Sequence, residues 1–81
     1  MPYRCLLVLP TPTATWKLFT TVSIPPFPGL GIRVDTYDVV AVESVVVGDA
    51  HCDVTCIGRL EGEPRTDAQL EALGFEIGPY P

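Results

Sequence analysis

A proline-rich turn that leads into the longest apolar run of the sequence places the strongest constraint on the fold. Three prolines within residues 25–28 fix φ at about −65° and lack a backbone N–H, so this stretch cannot lie inside a sheet ladder. We expect Gly29 and Gly31 to supply the positive φ that a reversal into a new strand needs. The run over 32–47 is rich in Val, Ile, Thr and Tyr, which favours a strand over a helix.

Two acids within this run, Asp38 and Glu43, predict an irregularity in the strand. In an unbroken strand they would face opposite sides of the sheet, and one carboxylate would enter the core. We therefore expect a β-bulge near Val40 or Ala41 that keeps both carboxylates in water and bends the strand around a small barrel. The side chains then expected to point inward are Tyr37, Val39 and Val42.

Two segments before the prolines have the patterns of strands. Residues 3–9 form a short apolar run, which predicts a first strand buried on both faces. Residues 15–24 alternate between apolar and polar side chains, which predicts a second strand. Its inward face is expected to extend from Trp16 to Ile24, with Phe19 on the wetter face.

Residues 50–60 also alternate and predict a hairpin with the preceding strand. The expected inward side chains are Cys52, Val54, Cys56 and Leu60, and the expected outward ones are His51, Asp53, Thr55 and Arg59. In a strand Cys52 and Cys56 stand about 13 Å apart, too far to share one metal ion. We expect no metal, no cofactor and no cysteine nucleophile activated by His51. The cysteines leave open either a disulfide from Cys5 to Cys52 or Cys56, or three reduced, buried thiols.

The end of the sequence predicts one short helix. Thr66 and Gln69 fit the capping box, in which the side chain of each residue satisfies a backbone N–H of the other. The helix is expected over about residues 67–73 and to stop at Gly74 in the left-handed conformation. The next residue is expected to fold back onto the helix and to open a last short strand over 75–77.

Charge divides the sequence into two unequal parts. Residues 1–34 contain three bases and no acid, a charge of +3, whereas residues 35–81 carry ten acids against two arginines, a charge of −8. If these parts occupy different faces, the molecule presents an acidic surface that attracts a basic partner and repels nucleic-acid phosphates. The alternative is that the acids only keep a small apolar protein soluble.

Acids near the predicted hairpin form the candidate partner-binding site. They are Asp35, Asp38, Glu43, Asp49 and Asp53. Paired carboxylates act as acid and base only where burial separates their pKa values, and these positions are expected to face water, so we expect no enzyme. No apolar stretch reaches the roughly 20 residues that span a bilayer, and none resembles a signal-peptide core, so we expect a cytoplasmic protein without a membrane partner.

The segment over residues 16–59 resembles small SH3-like barrel proteins of bacteria and their phages. The likeness lies in an alternating strand that ends in proline, in Pro28 and Gly31 before the next strand, and in a Y-x-V-x-x-V pattern that begins at Tyr37. The resemblance implies a five- or six-stranded barrel that binds macromolecules through loops or an open edge, and it carries no catalytic residues over. The acidic second half differs from the nucleic-acid-binding members.

These observations predict a single mainly β domain over residues 1–81, a five- to six-stranded SH3-like barrel with one short C-terminal α-helix. We expect a non-enzymatic protein-binding module, an accessory protein of a phage or mobile element. It would inhibit a host protein with a basic surface, such as a CRISPR-type defence protein, through its acidic face. The alternative is a structural subunit of a virion or complex that forms a homo-oligomer through a barrel edge.

Overall fold

A computed structural model describes residues 2–12, 14–48 and 52–78, which form one curled sheet and one helix. The elements in chain order are β1 (Tyr3–Pro10), β2 (Thr15–Val22), β3 (Gly31–Asp35), β4 (Asp38–Val47), β5 (Val54–Leu60), α1 (Asp67–Ala72) and β6 (Glu76–Ile77). The strands follow the order β3-β4-β5-β1-β2-β6 and curl into a half-barrel. The prediction of a small, mainly β barrel fold of five to six strands with one short C-terminal helix is confirmed, with six strands.

β1 occupies the middle of the sheet and is buried on both faces, as its apolar run predicts. It pairs in parallel with β5 on one side and antiparallel with β2 on the other. Cys5 and Leu7 point to the inner face and are fully buried, while Leu6 and Val8 point to the outer face and are 1% exposed. One central strand thus contributes to two apolar clusters.

The inner cluster is the main core. Its buried members are Cys5, Leu7, Leu9, Trp16, Ile32, Val40, Val42, Cys56, Leu70 and Phe75. The smaller outer cluster consists of Leu6, Val8 and Cys52, with Ile57 packed against it. The expected inward position of Cys52 is therefore wrong, and Thr55, expected to face outward into water, is buried. Cys52 differs because β5 begins only at Val54, so the alternation of the strand does not apply to it. Thr55 differs because the outer face of the sheet is itself covered at this position.

The β-bulge in β4 lies at Glu43, and not near Val40 or Ala41 as expected. The register with β5 shifts between Val42 and Ser44, and the exposed Glu43 is the extra residue. Gly58 of β5 lies opposite Val42, and a Cβ at Gly58 would lie 2.1 Å from the carbonyl oxygen of Ala41. This close approach fixes where the strand bends.

The shifted bulge changes which side chains fill the core. Tyr37, expected to point inward, lies in the turn before β4 and is 91% exposed. Val39 is half-buried, whereas Val40 is fully buried. The inward position of Val42 is confirmed. Because the turn occupies two residues, β4 starts at Asp38 and its inward positions are set from there.

The proline turn leaves the sheet as predicted, with two differences of detail. β2 ends at Val22, so Ile24, expected on the inward face, lies outside the strand and is exposed. Gly29 has the expected positive φ of 97°, but Gly31 does not and is the first residue of β3. Glycine is favoured at position 31 for another reason, because a Cβ there would lie 3.0 Å from Cγ1 of Val39.

The helix α1 has the predicted caps. The Thr66 hydroxyl accepts from the Gln69 N–H at 3.2 Å, and Oε1 of Gln69 accepts from the Thr66 N–H at 2.9 Å. At the other end Gly74 has φ of 100°, and the Phe75 N–H donates to the Leu70 carbonyl at 3.1 Å. Leu70 and Phe75 both pack in the inner cluster, so the caps attach the helix to the core.

Substitution of Gly58 by alanine tests the close approach at the bulge. The added Cβ would overlap backbone of β4, which cannot move without breaking the register, so we expect the free energy of unfolding to fall by about 3 kcal/mol or more. Urea unfolding measures this loss. The control is Ser44→Ala, an exposed change on the other side of the bulge, which should stay within about 0.5 kcal/mol of the parent. Equal stability of the two variants would contradict the register.

Candidate functional site

The structure separates the acids that the sequence suggests as one partner-binding site. Asp35 and Asp38 lie opposite each other at the β3–β4 turn. Asp53 directly precedes β5, whose first residue pairs with the last residue of β4. A ten-residue strand such as β4 spans about 30 Å, so Asp38 and Asp53 lie at opposite ends of the hairpin. Glu43 stands between them on the bulge, and Asp49 lies outside the described residues.

Asp38 is expected to face water, and this expectation is wrong. Its carboxylate forms an ion pair with Arg65. Nε and Nη2 of Arg65 donate to Oδ1 of Asp38 at 3.0 and 2.8 Å, and the two side chains are only 17% and 19% exposed. Asp38 has the same strand phase as the buried Val40 and Val42, so its carboxylate points toward the rim of the core. A cation is needed there, and Arg65 supplies it.

Arg65 also holds the connection between β5 and α1. Its guanidinium donates to the carbonyl of Glu61 at 3.2 Å and to the carbonyl of Glu63. The Glu61 N–H in turn donates to the Val39 carbonyl at 2.9 Å. Sequence reasoning missed Arg65, and the only signal for it is that it is the one base among the acids of the 61–76 segment.

Asp53 forms a second ion pair, with Arg4 of β1. Its Oδ2 accepts from the Arg4 N–H at 2.8 Å, and its Oδ1 lies 3.2 Å from Nη2 of Arg4. The Asp53 N–H donates back to the Arg4 carbonyl at 2.8 Å. The backbone N–H and the guanidinium of Arg4 lower the pKa of Asp53 below its ordinary value of 3.8. This exposed pair fastens the start of β1 to the approach to β5.

Three carboxylates around the Asp38–Arg65 pair remain exposed and have no cation partner in the described part of the chain. We call them the acidic end: Asp35, Glu61 and Glu63. Asp35 accepts only from the N–H of its neighbour Thr36, at 2.7 Å. Arg33 is close by but donates to the Thr36 carbonyl at 2.9 Å. Arg65 is neutralised by Asp38 and the nearby Arg33 offsets one of the three charges, so the acidic end keeps a net negative charge.

The cysteines lie in two separate places as buried free thiols. Sγ of Cys5 and Sγ of Cys56 are 3.2 Å apart in the inner cluster, whereas Cys52 lies on the outer face with its sulfur 3.7 Å from the Thr55 hydroxyl. Burial raises the pKa of both Cys5 and Cys56. A raised pKa keeps a thiol protonated and unreactive, so this pair is not placed to act as a nucleophile.

Among the residues that the structure describes, no group of three His, Cys, Asp or Glu side chains could hold a metal ion, and no helix could cross a membrane. A groove of about 390 Å³ lies between the β1–β2 turn and α1, lined by prolines and leucines and by the charged residues Arg59, Glu63, Arg65 and Asp67. Comparisons with protein-family models, curated proteins and solved structures find no match to this chain.

Replacement of Arg65 by alanine tests the first ion pair. It would leave the Asp38 carboxylate at the rim of the core without a partner, so we expect a loss of about 2–3 kcal/mol in the free energy of unfolding. The double variant R65A/D38N should lose less than the two single variants combined. The control is Arg59→Ala, which removes an exposed arginine outside the ion pair. If R65A and R59A are equally stable, Arg65 does not hold this end of the sheet.

Replacement of Asp53 by asparagine tests the second ion pair through pH. The lowered pKa of Asp53 stabilises the folded state fully above its unfolded value near 3.8, and this stabilisation is lost as pH falls through the lower folded value. We expect the parent to melt at a higher temperature than D53N at pH 7, and the difference to disappear in strong acid. A difference that is constant from pH 7 to pH 2 would contradict this linkage.

Proposed function

We propose that this chain is a non-enzymatic protein-binding module that contacts a basic protein surface through its acidic end. The observation that carries this proposal is the set of exposed carboxylates at Asp35, Glu61 and Glu63, gathered around an arginine whose charge is already cancelled. Carboxylates without an internal cation attract an external one over a range of about 10 Å at ordinary salt.

The backbone that carries the acidic end is held in place. At the β3–β4 turn the Thr36 N–H donates to the Asp35 carboxylate and Arg33 donates to the Thr36 carbonyl, and the 61–63 segment is held by the hydrogen bonds to Val39 and Arg65. Association therefore costs little ordering of the main chain, and only the carboxylate side chains must settle on the partner. Such a surface favours fast association with an oppositely charged partner.

Proteins that handle nucleic acid carry the basic surfaces that this module would suit. Positive grooves that hold phosphates also attract carboxylates, whereas the phosphates themselves are repelled by the acidic end. We extend the proposal to an accessory protein of a phage or mobile element that blocks a host protein of this type, such as a defence protein. Glu43, exposed on the bulge, is a further contact in this proposal.

Charge reversal at the acidic end tests the proposal. Affinity capture from a host extract with mass spectrometry identifies the partner, and binding is then measured with the purified partner at low and high salt. We expect the double variant Glu61→Lys/Glu63→Lys to weaken binding at low salt by about tenfold or more, because two attractions become repulsions. High salt should reduce the difference.

The matched control is the double variant Glu71→Lys/Glu76→Lys, which makes the same change in net charge on α1 and β6. It should affect binding far less than the acidic-end variant. Equal effects of the two double variants would mean that only the net charge matters. If neither double variant changed binding, the proposal would be overturned. Circular dichroism of each variant confirms that the fold is retained.

A further inference from the structure

The outer edge of β2 is only partly covered. β6 pairs with Trp16 and Lys17 alone, and the Gly78 N–H donates to the Thr15 carbonyl at 3.2 Å. This bond shows that the Thr15 carbonyl points away from β1. In an antiparallel strand the direction alternates, so the N–H and C=O groups of Phe19 and Thr21 are directed the same way, beyond the end of β6. In the described ranges no strand pairs with them.

β3 is the opposite edge of the sheet and presents a similar row. The Val42 N–H donates to the Leu30 carbonyl at 2.9 Å, which shows that this carbonyl points toward β4. Alternation then directs the N–H and C=O groups of Gly31 and Arg33 away from β4. Among the described residues, no strand pairs with these groups either.

The curl of the sheet brings these two edges to the same opening. A cleft of about 280 Å³ is lined by residues 20–24 on one side and 30–33 on the other. The pairings in the sheet make β2 and β3 antiparallel to each other. Thr21, Ile24, Gly31 and Arg33 are exposed, so the cleft is open to solvent.

We propose that this cleft binds an extended segment of a partner protein as an additional strand between β2 and β3. The segment would pair with the free backbone groups of Phe19 and Thr21 on one side and of Gly31 and Arg33 on the other. Strand addition to a free edge gives affinity through main-chain hydrogen bonds, and the side-chain pockets select the sequence.

The lining of the cleft defines the chemistry of the segment. Val22, Leu30 and Ile32 pack against the inner cluster, so every second residue of the segment should be apolar to extend this core. Among the described residues that line the cleft, Arg33 is the one charged side chain and none is an acid. Outward positions of the segment should therefore be neutral or acidic, while lysine or arginine would be repelled.

An isolated segment fits this cleft better than the edge of a second copy. The edge strand of a second copy would bring its own neighbouring strand into a cleft that already has β2 on one side and β3 on the other. The free stretch of β2, residues 18–22, also lacks the charged and proline residues with which proteins usually block an exposed edge. This inference stands apart from the acidic end, because Asp35, Glu61 and Glu63 do not line the cleft.

The test uses a short acetylated peptide of alternating valine and threonine with one glutamate, added to the ¹⁵N-labelled protein. We expect shifts of the amide resonances of Phe19, Thr21, Gly31 and Arg33, and slower hydrogen exchange at these four amides. A peptide with lysine in place of glutamate should bind more weakly. A peptide with N-methyl groups on the residues that face an edge should not bind, because it has lost the donors while the protein is unchanged.

Two variants at one position separate the backbone from the side chain. Thr21→Pro removes an N–H that faces the cleft and takes no part in the pairing with β1, so the fold should persist while the peptide binds about tenfold more weakly. Thr21→Val keeps the N–H and should bind within about twofold of the parent, a difference below 1 kcal/mol. Circular dichroism checks that both variants fold.

Three results would overturn the inference. They are the absence of amide shifts at millimolar peptide, equal binding of the N-methylated peptide, and self-association that protects the same amides without peptide. The last result, read by sedimentation, would assign the edge to a second copy. Glu61 and Glu63 do not contact the cleft, so failure of peptide binding would leave the proposed role of the acidic end intact.

Discussion

Burial of β1 on both faces is the constraint on which the rest of the structure depends. A strand whose Leu6 and Leu7 are both hidden must have neighbours on each side and cover above and below. β2 follows through a short turn, but the parallel partner β5 needs a long crossover, and β3 and β4 supply it. Contacts that fasten β1 to β5, the Arg4–Asp53 pair and the Cys5–Cys56 contact, therefore hold together residues about fifty positions apart.

The same arrangement explains why the half-barrel remains open. The bulge at Glu43 and the close approach at Gly58 bend β4 far enough to bring β3 round toward β2. The segment that joins β2 to β3 contains three prolines, which cannot donate to a ladder. β2 and β3 therefore cannot pair directly after the turn. The cleft between them is a consequence of the residues that form the turn.

Local features were predictable from the sequence, and features that depend on a distant strand were not. The caps at Thr66 and Gly74 involve residues within a few positions of each other, and they are confirmed in detail. A bulge was also predictable from the spacing of the acids, but its position was not, because Gly58 on the next strand decides it. The acids failed to form one patch for a similar reason. Asp38 and Asp53 are close in sequence, but the ten-residue strand β4 places them at opposite ends of the hairpin. The Arg65 that neutralises Asp38 comes from beyond β5.

Ion pairs in the fold offset part of the charge division of the sequence. Arg4, from the basic part, is bound by Asp53 from the acidic part, and Asp38 is neutralised within the acidic part by Arg65. The acidic end lies at the last residue of β3 and in the 61–63 segment, whereas the cleft edges carry Arg33 and otherwise uncharged residues among those described. The two surfaces would contribute to partner binding in different ways. Free carboxylates act at long range and raise the rate of association, whereas edge backbone groups act only at contact and slow dissociation. A partner with a basic surface and a neutral, extended segment next to it would satisfy both at once, and neither surface needs the other in order to bind.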